Sequence, residues 1–231
     1  MARIKAGPGR PAGVDAQETR DRILREARAC FAAHGYEGTS TRMIAERAGL
    51  ATAALYHHFG KKSDLMLAVH RARNEVSYAP IRAAVDAAPT FAGKIEGLFN
   101  AIHEALRADP EQGVFASVAR DEARRHPELR EIGEDKEFEE LFAEIICFGV
   151  RTGQIASSDA VQARGALASM AFGLSMLAPD MTIQAHALVA RGCARAFTGS
   201  LLRTPDGPPA APVTSAAPAG SVAGTSKVGR R

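Results

Sequence analysis

The stretch Thr41–Phe59, TRMIAERAGLATAALYHHF, constrains this chain more than any other. An apolar helical turn, Ile44 and Ala45, is followed by Ala48, Gly49 and Leu50, then by Leu55 and Phe59. Ala45, Gly49 and Leu55 stand four and six residues apart. Two short helices crossing steeply through a three- or four-residue turn need that pattern. A small residue lets the helices approach, a glycine accepts positive φ in the turn, and an aliphatic side chain fills the angle between them. The pattern predicts a helix-turn-helix over about 41–60, an element that lays its second helix in the major groove of DNA.

The flanks extend this element into a domain. Ile23, Leu24, Ala27, Cys30 and Phe31 recur at three- and four-residue steps and predict a helix over Thr19–His34, with Gly35 ending it. Tyr36 turns back onto the core, and Thr39 or Ser40 caps the helix beginning near Thr41. Lys61-Lys62-Ser63-Asp64 opens a fourth helix, with Leu65, Leu67, Ala68 and later Val76 on its apolar positions. Asn74–Ala88 continues it, with a kink or break at Pro80.

Beyond that point every periodic stretch is helical and none alternates as a strand does, so the expected fold is all-α. Thr90 caps Phe91–Ala108, whose apolar positions are Ile95, Leu98, Phe99, Ile102 and Leu106. Asp109-Pro110 starts another helix, and Arg120–Glu140 mixes both charge signs as a solvated, ion-paired face would. Phe138, Leu141, Phe142, Ile145, Ile146 and Phe148 make a strongly apolar run expected to be deeply buried. Ser157-Ser158-Asp159 caps a helix to about Leu177, on which Gly165, Ser169 and Gly173 form a strip of small residues. In the last helix Ile183, Ala187, Ala190, Ala194, Phe197 and Leu201 repeat at steps of four and three, the seam of helices packed at a shallow angle. Four segments follow: a flexible basic arm at 1–17, a DNA-binding domain at 18–78, a helical domain at 79–203, and a Pro-, Gly-, Ser- and Ala-rich disordered tail at 204–231.

Charge matters here through its placement, because a net +3 is too small to require a polyanionic partner. The arm Met1–Val14 holds Arg3, Lys5 and Arg10 and no acid. Its Pro8-Gly9-Arg10-Pro11 resembles the core of an AT-hook, which makes Arg10 a candidate for an A·T minor groove. Cys30, Cys147 and Cys193 follow no metal-ligand or redox spacing, and the first two sit among apolar neighbours as buried thiols in a reducing cytosol do. No apolar run is long enough to cross a bilayer, and the N-terminus lacks the apolar core of a signal peptide, so a cytoplasmic protein is expected.

Walker and Rossmann glycine loops and the Gly-x-Ser-x-Gly elbow are missing from the sequence. A di-iron carboxylate site in a helical bundle needs Glu-x-x-His pairs, and none of the seven histidines has Glu three residues before it. No catalytic residue, metal ligand or cofactor is therefore expected. The outward start of the second helix of the motif, Thr52 and Ala53, suits base contact: a hydroxyl for a base edge or phosphate, and methyls for a thymine methyl.

The run ILREARACFAAHGYEGTSTRMIAERAGLATAALYHHFGKKSDL resembles the N-terminal domain of the tetracycline-repressor (TetR) family of bacterial transcription regulators. The likeness runs from Thr19 to about Val69 and includes Phe31, Gly35-Tyr36, Thr39, Ile44-Ala45, Gly49, Leu55-Tyr56, Phe59 and Lys62–Leu65 at the family's spacing. It implies phosphate contacts from Thr41, Tyr56 and Lys62, and groove or backbone contacts from Arg42 and His57. It further implies a ligand cavity among the later helices, for which Phe91, Phe99, His103, Phe115, Phe142, Phe172 and Met176 are candidates. Dimerisation through the last two helices follows from the same likeness, with Gly165, Ser169, Gly173, Leu177, Ala187, Ala190, Ala194 and Phe197 as candidates.

Two positions depart from the family pattern. Ala51 and Ala54 stand where hydroxyl side chains are usual, so either Thr52 caps the recognition helix or its start is shifted. The implied function is a homodimeric repressor released from a double-stranded, palindromic DNA operator by a small-molecule inducer. An activator would share the same site, and a helical carrier or enzyme retaining the domain is the alternative from another class.

Overall fold

Apolar residues recurring at helical spacing set the architecture. The computed structural model describes residues 12–200, with side chains from residue 16, and shows nine α-helices and no strand among them. They are α1 (Ala12–His34), α2 (Thr41–Arg47), α3 (Thr52–Phe59), α4 (Lys62–Ala87), α5 (Phe91–Ala108), α6 (Pro110–Arg125), α7 (Lys136–Arg151), α8 (Ala160–Leu177) and α9 (Ile183–Phe197). Short 3-10 segments occupy Pro127–Gly133, Ser157–Asp159 and Ala178–Asp180. Helix α1 starts at Ala12 rather than Thr19, so it takes in part of the segment expected to be a flexible arm. Arg10 and the expected tail at 204–231 lie outside the described residues.

Two apolar cores organise these helices. The first joins α1, α2, α3 and the start of α4 through Ile23, Phe31, Ile44, Leu55 and Leu65, all fully buried. Phe115 and Ala119 of α6 and Leu129 and Ile132 of the following 3-10 segment complete it. Fully burying one such aromatic or aliphatic side chain contributes about 1.5–3 kcal/mol. The helix-turn-helix region thus borrows four core residues from beyond residue 78. The second core packs the end of α4 with α5, α7, α8 and α9 around Leu98, Phe99, Leu141 and Leu167.

The turn between α2 and α3 is built as the spacing predicts. Ser40, the residue before α2, accepts the Met43 amide hydrogen on its hydroxyl oxygen at 3.1 Å. At the other end Gly49 adopts φ +67, its amide bonds Glu46 O at 3.1 Å, and the Leu50 amide reaches back to Ala45 O at 2.9 Å. This pair of bonds is the Schellman closure, and the left-handed glycine makes it possible. Helix α3 starts at Thr52 with Ala51 before it, and no side chain caps it.

Several expectations are corrected. Helix α4 runs unbroken through Pro80. Pro80 is exposed, and Val76, whose carbonyl loses its helical partner there, is exposed too, so water can take the freed oxygen. Cys147 is exposed, because α7 turns Leu141, Phe142, Ile145 and Ile146 inward and leaves Cys147 on the outer side; Cys30 is buried, and burial pushes its thiol up. Phe138 and Phe148 of the run expected to be deeply buried are half-buried. Asp159 stands at the start of α8 without a side-chain cap bond; the Ser158 hydroxyl donates to its carboxylate at 3.1 Å instead.

From Ala190 onward the described part of the seam read on the last helix faces inward, while Ile183 at its start is exposed. Ala190 and Ala194 are buried in the second core and Phe197 packs 6.3 Å from Phe91, so these three candidates for the dimer surface serve the subunit's own α5 and α9 packing. A four-and-three repeat marks a packed face without saying which neighbour packs it. The outer faces of α8 and α9 instead carry Val161 (73% exposed), Leu177 (48%), Ile183 (47%) and Leu188 (63%). Gly165 and Ser169 are exposed, and Gly173 and Ala187 are half-buried.

Candidate functional site

Helix α3 is anchored by its inner side and free on its outer one. Leu55 and Phe59 are buried, while Ala53, Tyr56 and His57 are exposed and Thr52 is half-buried. The Arg20 guanidinium lies 4.6 Å from the centre of the Phe59 ring and covers the end of the helix. The Tyr56 hydroxyl meets that of Thr41 at 3.1 Å, so α2 and α3 present a shared polar edge at one end. Two such hydroxyls, each able to donate, suit a phosphate oxygen. Arg42, on the exposed side of α2, pairs with Glu46 at 2.8 Å. An exposed i,i+4 pair is weak and screened by solvent, so a nucleic-acid phosphate can displace the carboxylate.

Lys62 is placed differently from its expected role. Its ammonium donates to Tyr36 O at 2.8 Å and lies 4.2 Å from the centre of the Tyr36 ring. The cation secures the turn after α1 rather than reaching outward. On the opposite side of that turn Glu122 of α6, itself buried, accepts the Tyr36 amide hydrogen at 2.8 Å. Thr39 completes the turn, with its hydroxyl oxygen 2.7 Å from Gly35 O and 3.1 Å from Cys30 O.

A second site lies inside the helical region. A cavity of about 60 Å³ opens between α4, α5, α6, α7 and α8. Of the residues expected to line a ligand cavity, Phe142, Phe172 and Met176 do. Phe91 and Phe99 are spent in the second core and Phe115 in the first, while His103 stacks on His186 with ring centres 5.2 Å apart. Large aromatic residues at helical spacing carry no label that separates core from cavity wall.

Sequence reasoning missed the polar half of that wall. Arg73 and Ser77 from α4, Gln112 and Arg120 from α6, and Asp135 all line it. Asp135 accepts from Asn74 at 2.6 Å, contacts His70 Nε2 at 2.9 Å and lies 3.9 Å from Arg120. Burial alone would raise its pKa, but His70, Asn74 and Arg120 outweigh it and hold the carboxyl below the usual range. Arg120 and Asp135 lie in the segment expected to be a solvated face, and mixed charge in sequence gave no sign that two of its members turn inward. Burial depresses the Arg73 guanidinium, Asp135 partly offsets this, and Arg120 adds repulsion.

Hydrogen bonds link the cavity to α1. Ser77 donates to Gln112 Oε1 at 3.0 Å, Gln112 donates to Asp109 at 3.2 Å, and Arg28 of α1 donates to the same Asp109 oxygen at 2.6 Å. One face of α6 therefore touches the cavity while another holds α1 and the Tyr36 turn.

A capped short helix, a left-handed glycine turn and a second helix with a free outer face define a helix-turn-helix protein of the DNA-binding class. The chain belongs to the bacterial regulatory proteins of the tetR family, whose pattern it matches over residues 23–69. It is similar to the HTH-type transcriptional repressor AcnR of Corynebacterium glutamicum, at 47% identity over 60 residues, covering 26% of this chain and 32% of AcnR. It is also similar to the HTH-type transcriptional repressor KstR2 of Mycobacterium tuberculosis, at 30% identity over 138 residues, covering 58% of this chain and 68% of KstR2. Among solved structures it resembles the regulator FadR of Bacillus subtilis in complex with stearoyl-CoA, with a TM-score of 0.68 at 18% identity, covering 78% of this chain and 98% of that one. The match to AcnR thus spans about a third of that relative's length. No described helix is long and apolar enough to cross a membrane.

Proposed function

We propose that the protein is a homodimeric transcriptional repressor that leaves its operator when a small molecule enters the cavity between α4 and α8. The observation that carries this reading is helix α3, anchored by Leu55 and Phe59 with Thr52, Ala53, Tyr56 and His57 turned to solvent. Membership of the tetR family and the repressor names of the AcnR and KstR2 relatives support it. Thr52, Ala53 and His57 would meet base edges or the groove; Thr41, Arg42 and Tyr56 would take phosphates. Arg10 would reach the minor groove ahead of α1. The regions 18–78 and 79–203 would divide the work between DNA binding and ligand-controlled pairing. On this reading the chain is not a catalyst and needs no cofactor.

The exposed apolar faces of α8 and α9 favour pairing of two copies, with Leu177, Ile183 and Leu188 turned outward and Gly165 with open space above its backbone. Twofold pairing would set two α3 helices about one DNA turn or more apart, facing a palindrome. Helix α6 is the element through which a ligand would act. Widening the cavity would move Gln112 and Arg120; the same helix holds the Tyr36 turn through Glu122, and Asp109 just before it holds Arg28. A ligand lowers operator affinity by the amount that it prefers the displaced arrangement.

The test is binding to the gene's own upstream DNA across a salt series. Repression predicts a saturable, sequence-selective complex that survives competitor DNA. A steep salt dependence with equal affinity for every sequence would remove the operator reading.

A further inference from the structure

We propose that the cavity takes an organic anion with an apolar body, its charged head held by Arg73 and Arg120. The inference rests on the reading of this cavity as the effector site, and it specifies the chemistry of the effector.

Three observations point to it. First, the wall divides by polarity: Ile102, Phe142 and Phe172 supply an apolar surface, while Arg73, Arg120 and Gln112 supply donors. Second, the cavity holds two guanidiniums against the single carboxylate of Asp135. That carboxylate is already engaged by His70 and Asn74, and Arg120 reaches it only at 3.9 Å. Third, Nε of Arg73 is enclosed and has no hydrogen-bond partner, although its Nη1 donates to Asn74 at 2.9 Å. A buried donor without an acceptor is costly, and costlier when it carries charge.

An anion entering here would supply the acceptor that Arg73 lacks and balance the second guanidinium. Arg120 lies with its guanidinium 4.5 Å from the centre of the Phe172 ring, so it faces both halves of the wall. That position fits a ligand whose head and body meet beside Phe172. A planar guanidinium fork suits a carboxylate or phosphate head, each accepting two parallel bonds. At about 60 Å³ the closed cavity is smaller than such a ligand, so the anion is one whose body is long enough to widen it. Such a body would have to part α6 from α8, which couples its entry to the helix that holds the Tyr36 turn.

The full chain without DNA is titrated by calorimetry with four ten-carbon probes: decanoate, decyl phosphate, decanol and decylamine. Either anion should bind at least about tenfold more tightly than decanol, and decylamine should not bind. Decanoate against decyl phosphate tells which head the fork prefers. Arg73→Gln should reduce anion affinity about tenfold and decanol affinity by clearly less, while Arg73→Lys should restore part of the preference. Arg120→Gln gives a second variant should Arg73→Gln fail to fold.

Equal binding of anion and alcohol, preference for the amine, or no binding of any probe would each overturn the proposal. Because DNA is absent from these titrations, anion binding by a protein that shows no operator selectivity would leave this inference standing and remove the repressor reading.

Discussion

Glu122 and Tyr36, 86 residues apart, are joined by a single hydrogen bond of 2.8 Å from the Tyr36 amide to the Glu122 carboxylate. The bond carries the Tyr36 turn on α6, the helix that also lines the internal cavity. Gly35, with φ +69, delivers that amide, and a Cβ there would stand 2.8 Å from the same Glu122 oxygen. The turn and the cavity wall therefore share one rigid element.

Removing this acceptor should be costly. Glu122→Ala leaves a buried amide unpaired and is expected to lower unfolding free energy by about 1–3 kcal/mol, whereas Glu122→Gln keeps an acceptor and loses less. Urea unfolding of the two variants decides it. Equal losses would show that the charge of Glu122, and not an acceptor for the Tyr36 amide, is what matters.

The two turn glycines should respond differently to alanine. At Gly49, with φ +67, a methyl group would meet nothing within 4 Å, so Gly49→Ala carries only the left-handed backbone penalty of about 1–2 kcal/mol. Gly35→Ala adds a contact that the Glu122 carboxylate can relieve only by loosening its bond to the Tyr36 amide, and should fall somewhat below it in thermal unfolding. Matching melting temperatures would contradict the steric account.

Lys62 gives a test of where its cation acts. Lys62→Met should lower stability by about 1 kcal/mol by freeing Tyr36 O, and leave the slope of log affinity against log salt unchanged for DNA binding. A slope reduced by about 0.9 would instead return Lys62 to the phosphate backbone.

Pairing of subunits can be separated from folding. Leu188→Glu, on an exposed position, should leave the far-UV spectrum and melting temperature nearly unchanged while converting the dimer to monomer in sedimentation. Ala190→Glu, two residues on but buried, should destabilise by several kcal/mol because it places a charge in the core. Dimers persisting in Leu188→Glu would move the interface elsewhere.

His186 sets a pH dependence. Its Nε2 faces Leu174 O at 3.1 Å, a carbonyl that can only accept, so that nitrogen carries a hydrogen and Nδ1 meets His103 at 3.0 Å. Burial lowers its pKa from 6.5, the Leu174 carbonyl partly opposes this, and His103 adds to the depression. The unfolded chain therefore takes up the proton first. Stability from this site is complete above the ordinary histidine value and is lost as the pH falls below it. The urea midpoint should drop between about pH 7.5 and 5.5, and less so in His186→Gln. A larger drop in the variant would reverse the sign.

Much of the helix-turn-helix was legible because its signals are local. Ser40, Gly49, Leu55 and Phe59 act through bonds and contacts within a few residues, so spacing alone locates them. The apolar wall of the cavity was half legible: Phe142, Phe172 and Met176 line it, while Phe99 and Phe115 look the same in sequence and lie in the cores. The guanidinium pair was not legible. Arg73 lies on a helix expected only to pack, and Arg120 lies in a charge-rich stretch whose exposure was the ordinary expectation.

By itself the sequence determined the all-helical class, the order of the helices and the identity of the DNA-facing motif, since hydrophobic period, caps and turn glycines are properties of neighbouring residues. Only the tertiary structure decided which way each face turned. It set Ala190 and Ala194 against α5, gave Lys62 to Tyr36, completed the first core with Phe115 and Leu129, and brought Arg73, Arg120 and Asp135 to one cavity. The physical reason is that a period fixes the direction of a side chain relative to its own helix, and only packing fixes the direction of the helix relative to everything else.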